Sequence, residues 1–234
     1  MPEEVFDLPT LAKYLHLSIQ QVEKLVKRDE IPSRRIGGEL RFARAEVHQW
    51  MESRMGVLDD AGLAAVESQM QDTGEGSEGN LRLQDLLLDE AIAIPLIART
   101  KNSVIGKMTE MAMQTGMLWD ADKMADAIKA REELQSTAMD NGVAILHPRR
   151  PQVGILAEGF LALGITSQGI PFGGSRHLTD VFWLVCSIDD RSHLKTLARL
   201  SRLMVHESFL DDLRACEGPT AVKLCIAEYE SKLD

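Results

Sequence analysis

The chain has 234 residues, 44% hydrophobic residues and a net charge of −10. This length is comfortable for two domains, and the negative charge argues against broad, non-specific binding of nucleic acid. The charge is unevenly distributed, because residues 1–56 hold nine basic and nine acidic side chains and the rest holds 17 basic and 27 acidic ones.

The longest apolar run, Ala91–Ala98, is far shorter than the roughly 20 residues that a membrane-crossing helix needs, and the N-terminus lacks the apolar region of a signal peptide. Three cysteines, Cys186, Cys216 and Cys225, have no metal-ligand spacing and are typical of reduced thiols. We therefore expect a cytoplasmic protein that has no contact with a membrane, no metal and no cofactor.

Residues 5–54 predict a small unit of three helices and a hairpin. Pro9 or Thr10 begins a first helix, and Ser18 with Gln21 predicts a capping box at the start of a second helix. Two short alternating segments around Gly37-Gly38 predict a β-hairpin with a primed turn. A third helix follows, with Val47, Trp50 and Met51 as its apolar stripe.

This pattern resembles the winged helix-turn-helix domains of the excisionase/MerR-like DNA-binding family over about fifty residues. The residues that carry the resemblance are Leu11-Ala12-Lys13-Tyr14-Leu15, Ser18, Val22, Leu25, Ile31-Pro32, Ile36-Gly37-Gly38, Arg41-Phe42 and Trp50. The family usually has glycine where this chain has Asp29, a residue that tolerates left-handed backbone geometry.

The remainder divides into a connector and an α/β region. Residues 57–80 are predicted to be a flexible linker, in which Leu58–Met70 can form a weak amphipathic helix and residues 72–79 are rich in glycine and acidic residues. From Leu81 onward, strand candidates at Ala91–Ile97, before His147, within Gly159–Ile165 and within Val181–Ile188 alternate with helical patterns. We expect domains at 1–56 and 81–234, the second with a mixed sheet flanked by helices.

One histidine stands at the end of an apolar strand. The run Gly142-Val143-Ala144-Ile145-Leu146-His147-Pro148 ends at a proline, which cannot donate a hydrogen bond to a sheet. With Arg131-Glu132 and Ser136-Thr137 upstream, it resembles the phosphoacceptor region of IIA domains of the bacterial phosphotransferase system, fructose/mannitol/nitrogen class. Leu146 replaces a proline of that family.

The resemblance implies a phosphoryl site. His147 corresponds to the histidine that carries the phosphoryl group, and a neutral imidazole is a competent nucleophile near pH 7. His193, at the start of a helix, corresponds to the family's second histidine, and Arg131 corresponds to the family's arginine, whose planar fork suits phosphate oxygens. Beside the phosphate we expect Ser136, Thr137 and Arg149, although loop capping and a solvated loop explain these three equally well.

The second helix of the N-terminal unit is expected to enter the major groove of DNA. Its candidate contacts are the polar side chains of this helix and the basic residues of the wing, namely Gln20, Gln21, Lys24, Lys27, Arg34, Arg35 and Arg41. A single domain of this size offers little contact area, so a homodimer on a two-fold DNA site is expected. Three other histidines, His16, His48 and His177, are predicted to lie at the surface.

The leading hypothesis is a bacterial transcriptional regulator that is controlled by phosphorylation of His147. By the resemblance, the donor is the phosphocarrier HPr or a similar protein. One alternative is an intermediate phosphotransferase component whose N-terminal domain docks a protein partner, and another is a IIA-like scaffold that is not phosphorylated. Whether the chain counts as an enzyme depends on whether the histidine carrier is active.

Overall fold

The computed structural model describes residues 5–15, 17–55, 60–69, 82–173 and 177–233. The N-terminal part contains three helices and a three-stranded antiparallel sheet of order β1-β3-β2. Its elements are β1 (Val5–Phe6), α1 (Leu8–Tyr14), α2 (Ile19–Lys27), β2 (Arg34–Ile36), β3 (Glu39–Ala43) and α3 (Arg44–Met55). The sequence did not predict β1, which pairs with only two residues of β3.

Local chemistry fixes the boundaries of these elements. Ser18 and Gln21 form the predicted capping box at the start of α2, which satisfies two backbone donors of the helix end. Gly37 and Gly38 adopt φ values of 61° and 86°, as a primed hairpin turn requires. Asp29 after α2 also has a left-handed backbone, with φ of 56°, so the turn keeps the geometry that glycine would adopt.

A fourth helix, α4 (Asp60–Gln69), lies within the predicted linker, where the sequence indicated a weak amphipathic helix over Leu58–Met70. Leu63 is fully buried and Glu67 is 4% exposed, because this helix packs on a long helix of the C-terminal part, α8 (Asp190–Met204). The glycine-rich residues 72–79 of the predicted linker lie outside the described residues.

The C-terminal part has a mixed four-stranded sheet of order β4-β6-β7-β5, in which β6 and β7 are antiparallel and the outer pairs are parallel. Its strands are β4 (Leu87–Ala93), β5 (Val143–Leu146), β6 (Phe160–Ile170) and β7 (Thr179–Cys186). Besides α8, its helices are α5 (Leu83–Leu86), α6 (Lys101–Gln114), α7 (Ala121–Leu134), α9 (Glu207–Arg214) and α10 (Pro219–Glu230).

Helices cover both faces of this sheet, as the sequence predicted. Side chains alternate along a strand, so Val143 and Ile145 of β5 pack in the core that contains α8, α9 and α10. Ala144 and Leu146 pack in the second core, with α6 and α7. β5 is thereby held from both sides at the point where it delivers His147.

The first strand of the sheet begins earlier than predicted. The candidate Ala91–Ile97 is shifted, because β4 starts at the fully buried Leu87 and a turn follows at Ile94-Pro95. Proline lacks the backbone donor that a longer strand would need, and Ile97 beyond it is 76% exposed.

Candidate functional site

His147 lies directly after β5. Its side chain is buried, and one hydrogen bond to the backbone orients the ring. Its Nδ1 lies 2.8 Å from the carbonyl oxygen of Ile145, and only 4% of the residue is exposed. Because a carbonyl oxygen can only accept, Nδ1 carries the proton and donates it. The other ring nitrogen, Nε2, is left with the lone pair and is the nucleophilic atom.

Arg131 approaches this same nitrogen from the last turn of α7. Its Nε lies 3.3 Å from His147 Nε2, and a terminal nitrogen donates to the carbonyl of Gln135 at 2.6 Å. The second contact fixes the guanidinium beside the imidazole. The structure therefore brings together the arginine and the histidine that the sequence paired.

His193 lies in the first turn of α8 and faces His147, with 5.3 Å between the ring centroids. Its Nδ1 lies 3.3 Å from the Ser187 hydroxyl. Its Nε2 is buried, and no group of the described residues lies within hydrogen-bond distance of it. Burial lowers the pKa of His193, and the nearby carboxylate of Glu52 only partly opposes this effect. A lowered pKa favours the uncharged form of the ring. The ring lies at the N-terminal end of a helix, where an anion is favoured.

Glu52 of α3 is the fourth member of the site, and no sequence pattern predicted it. Its carboxylate oxygens lie 3.4 Å from His147 Nε2, 3.6 Å from His193 Nε2 and 3.7 Å from Arg131 Nε. Burial would raise the pKa of Glu52, but its electrostatic interactions with the two histidines outweigh this and hold the pKa far below its usual value. An ionised carboxylate of the N-terminal domain therefore lies between the two histidines of the C-terminal domain.

The face of α3 that carries Glu52 makes further contacts with the C-terminal part. Arg44 pairs with Asp190 at 2.8 Å, and His48 lies 3.3 Å from the same carboxylate. Gln49 accepts a hydrogen bond from Arg149 at 3.2 Å. Arg44, His48 and Glu52 are spaced four residues apart and Gln49 lies three residues before Glu52, so these side chains share one face of the helix.

His48 is buried, whereas the sequence predicted a surface position. It is 6% exposed, because it lies between Tyr14 and Asp190. Burial raises the pKa of Tyr14 to about 12, so its hydroxyl stays protonated and donates to His48 Nε2 at 2.7 Å. His177 is exposed as predicted, and His16 lies outside the described residues.

Ser136 and Thr137 lie on the loop after α7, beside the site but turned toward Glu132. The backbone N–H of Thr137 donates to the Glu132 carboxylate at 3.1 Å, and both hydroxyls also donate to it. Lys101 neutralises this buried carboxylate at 3.0 Å. The glutamate that follows Arg131 in sequence therefore holds the loop.

A cavity of about 540 Å³ opens at the junction of α3 and the C-terminal part. Glu52, Arg131, Ser136, Thr137 and His147 belong to its lining, so four of the predicted site residues share one space. It gives a small polar group a route to the imidazole.

The same constellation has the ligand types of a metal site. Glu52, His147 and His193 each offer one ligand atom, and these atoms lie within 4.8 Å of one another. However, the positive guanidinium of Arg131 lies 3.3 Å from the same His147 nitrogen, and it would repel a divalent cation. Without the Glu52 carboxylate, the group of Arg131, His147 and His193 suits an anion better than a metal ion.

Most of the predicted DNA-binding residues are exposed on the N-terminal domain. Gln20, Gln21, Lys24 and Lys27 of α2 are exposed, as are Arg34 and Arg35 of the wing, whereas Arg41 is half-buried. Some of them already have intramolecular partners: Gln21 accepts from the backbone of Ser18 at 2.8 Å and Arg41 pairs with Glu39 at 2.6 Å. A solvent-accessible ion pair such as Arg41–Glu39 contributes little free energy, so Arg41 can exchange Glu39 for a phosphate oxygen.

Two family models match the chain. The model of the phosphoenolpyruvate-dependent sugar phosphotransferase system, EIIA 2, matches residues 85–229, and a helix-turn-helix domain model matches residues 5–55. A helix-turn-helix domain suggests DNA binding, and a IIA domain suggests phosphotransfer. Among the described residues, no helix is long and apolar enough to cross a membrane.

Curated relatives agree with the C-terminal match. The chain is 26% identical over 155 residues to the PTS system fructose-specific EIIABC component of Bacillus subtilis. The matched region covers 64% of this chain and 24% of that protein. It is 27% identical over 142 residues to the PTS system fructose-specific EIIA component of Haloferax volcanii, covering 59% of this chain and 90% of the relative. The chain thus spans about a quarter of the first relative's length and most of the second's.

Solved structures share the fold of the C-terminal part. Nitrogen regulatory protein IIA-Ntr from Neisseria meningitidis superposes with a TM-score of 0.55 at 18% identity, covering 61% of this chain and 97% of that one. IIA mannitol from Escherichia coli gives a TM-score of 0.53 at 17% identity, covering 58% and 96%. The chain belongs to the phosphoenolpyruvate-dependent sugar phosphotransferase system EIIA 2 family and carries a helix-turn-helix domain at its N-terminal end.

Proposed function

We propose that this protein is a bacterial transcriptional regulator that binds DNA through its winged domain and is controlled by phosphorylation of His147. The observation that supports this most is the group of His147, His193 and Arg131 in a IIA-type fold, in the same chain as a helix-turn-helix domain. We assign the winged domain to residues 1–56, the linker to 57–80 and the IIA-like domain to 81–234.

The transfer step uses His147 Nε2 as the nucleophile. Its lone pair forms a bond to the phosphorus of a phosphohistidine on a HPr-like carrier, while the N–P bond of the donor breaks and the donor imidazole keeps that electron pair. Nδ1 keeps its hydrogen bond to the Ile145 carbonyl, 2.8 Å away, which orients the ring throughout.

The neighbouring groups then hold the phosphoryl oxygens. Arg131 offers a positive, planar donor, and His193 offers a second ring nitrogen at a helix N-terminus. Ser136 and Thr137 lie within reach on the cavity wall. Arg149, which donates to Gln49 of α3, attracts an acidic partner.

Radiolabelled phosphoenolpyruvate, supplied with the general phosphotransferase enzymes, tests the acceptor. Wild-type protein should take up an acid-labile, base-stable label, and His147→Ala should lose it. His177→Ala replaces an exposed histidine 30 positions after His147 in the sequence, and this variant should be labelled as the wild type is. Absence of label on the wild type, or equal label on His147→Ala, would overturn the assignment.

Selection from a random DNA library tests the winged domain. We expect enrichment of a two-fold symmetric sequence bound by a homodimer, and weaker binding when Lys24 or Arg35 is replaced by Ala. If neither the phosphorylated nor the unmodified protein enriches any DNA sequence, the regulator hypothesis is wrong. The alternative, a phosphotransferase component whose N-terminal domain docks a protein, would then be favoured.

A further inference from the structure

Helix α3 of the winged domain covers the histidine that is proposed to receive the phosphoryl group. His147 is 4% exposed and His193 is 3% exposed, and the carboxylate of Glu52 lies against the Nε2 atoms of both. A carrier protein must bring a phosphorus atom within bonding distance of His147 Nε2. The carrier and α3 therefore need the same surface.

Charge adds to this steric conflict. A phosphoryl group on His147 brings about two negative charges to a place where an ionised carboxylate lies 3.4 Å from the accepting nitrogen. Arg131 now pairs with Glu52 at 3.7 Å, and it is also the guanidinium that phosphoryl oxygens would contact. The carboxylate and the phosphoryl group thus compete for one positive partner and repel each other.

We propose that Glu52 is an internal ligand of the phosphoacceptor site, and that a negative group on His147 expels it and opens the winged domain from the IIA-like domain. The proposal deepens the proposed function and rests on it for the identity of the negative group. Glu52 acts as a positioning residue, since it holds α3 over the site and takes no part in the transfer of phosphorus.

Three other contacts of α3 also hold the winged domain against the IIA-like domain. Arg44, His48 and Gln49 meet Asp190 and Arg149 beside the site. Arg44, Gln49 and Asp190 are partly exposed and Arg149 is exposed, so the contacts of Arg44 and Gln49 each contribute little alone. His48 is buried, but it shares the Asp190 carboxylate with Arg44. Loss of the buried Glu52 contacts is therefore the change that can shift the balance between the closed and the open arrangement.

Linkage makes the effect reciprocal. If closure of α3 lowers the affinity of the site for a phosphoryl group by some factor, phosphorylation must weaken closure by the same factor. Charge-assisted hydrogen bonds between buried groups correspond to roughly 10- to 100-fold in such an equilibrium. Phosphorylation of His147 then changes the orientation of the DNA-binding helix relative to the rest of the molecule.

Hydrogen exchange of α3 and of the start of α8 tests the charge effect without any phosphodonor. His147→Asp and His147→Asn have side chains of the same shape and differ in charge, so both lose the imidazole but only the first is negative. We expect exchange in these segments to be about tenfold faster in His147→Asp than in His147→Asn. In the background of Glu52→Gln, this difference between the two variants should disappear.

Equal exchange in the two variants, or a difference that persists without the Glu52 charge, would overturn the role of Glu52. Protection of β6 and β7 in the same experiment shows that the IIA-like domain of each variant is folded.

The rate of chemical phosphorylation by phosphoramidate gives the second readout. Glu52→Gln should label His147 about tenfold faster than the wild type, because the site is open and carries one negative charge less. Glu46→Gln is the matched control on the same helix, where the carboxylate pairs with Arg34 of the wing, and it should label at the wild-type rate.

The two hypotheses fail in different ways. If no variant is labelled while the exchange results hold, the acceptor assignment fails and the role of Glu52 stands. If the wild type and Glu52→Gln are labelled at equal rates, the competition between closure and phosphorylation is wrong although the acceptor assignment stands.

Discussion

At the scale of single residues, the guanidinium of Arg131 is the positive group beside the lone pair of His147. It contacts the nucleophilic nitrogen at 3.3 Å and is fixed by the Gln135 carbonyl at 2.6 Å. We predict that Arg131→Ala slows phosphorylation of His147 by roughly 10- to 100-fold, since a charge-assisted hydrogen bond is lost.

A lysine at this position should recover only part of the rate, because an ammonium group lacks the planar fork. Initial rates of labelling measure both variants, and Arg150→Ala, which replaces an exposed arginine, is the control. Wild-type rates in Arg131→Ala would show that the arginine does not assist transfer.

His193 makes the stability of the protein depend on pH. Burial lowers its pKa from the ordinary value of 6.5, so below that pH the unfolded chain binds a proton that the folded protein does not bind. Stability from this group is present above pH 6.5 and is lost as the pH falls. The free energy of unfolding should therefore decrease from pH 7 to pH 5, by at most about 1.4 kcal/mol per pH unit for this one group.

Urea unfolding at several pH values checks this prediction. His193→Asn, which can keep a polar contact with Ser187, should flatten the profile, whereas the exposed His177→Asn should not. Glu52 also has a lowered pKa, but its contribution is lost only below its ordinary value of 4.5. If His193→Asn leaves the pH dependence of the free energy of unfolding unchanged, His193 is not the group responsible for it.

Residue patterns predicted one half of this site and could not predict the other. Arg131, His147 and His193 lie in the C-terminal domain and follow the motif of one family. Glu52 reaches them from another domain, and its contact with His147 joins residues 95 positions apart. Nothing in the spacing of α3 distinguishes this glutamate from an exposed one, because the domain that buries it is not part of the local pattern.

At the scale of elements, buried charges attach α4 to the C-terminal part. Glu67 of α4 accepts from Arg199 at 2.6 Å and from Arg202 at 2.7 Å on α8. Arg199 also pairs with Glu230 of α10 at 2.7 Å, and Arg202 pairs with Asp60 at 2.9 Å. The helix that follows the winged domain is thus fastened to the helix that carries His193.

Removal of one partner from this network should be costly. We predict that Glu67→Ala lowers the free energy of unfolding by about 3 kcal/mol, the lower end for a broken buried pair, because each arginine keeps a second carboxylate. Asp126→Ala breaks an exposed pair with Lys129 and should cost less than about 0.5 kcal/mol. Denaturant unfolding compares the two, and equal costs would contradict the buried role of Glu67.

Element types were easier to predict than the ends of elements. Capping signals such as Ser18 with Gln21 and Asp120 before α7 act within one helical turn, so they can be read locally. The start of β4 at Leu87 is set by its parallel pairing with Leu161 of β6. That partner lies 74 positions away, and no local pattern contains it.

At the scale of the whole molecule, the winged domain contacts the IIA-like domain through one face and offers its candidate DNA contacts on another. The polar side chains of α2, among them Lys24 and Lys27, are exposed while α3 contacts the IIA-like domain through Glu52. Closure therefore leaves the candidate DNA-binding face uncovered and controls its orientation. For a dimer on two half-sites, orientation decides whether both winged domains can bind at once.

This separation predicts how binding to a short non-specific duplex depends on salt. Five basic candidates, Lys24, Lys27, Arg34, Arg35 and Arg41, would give a slope of log affinity against log salt of about −4.5 for one domain. Lys27→Ala should reduce the magnitude of the slope by about 1, and Glu52→Gln should leave it unchanged because it alters orientation only. Fluorescence anisotropy between 50 and 300 mM salt, about the range in which such contacts dominate, measures the slopes, and a steeper slope in Glu52→Gln would mean that closure does cover part of the DNA-binding face.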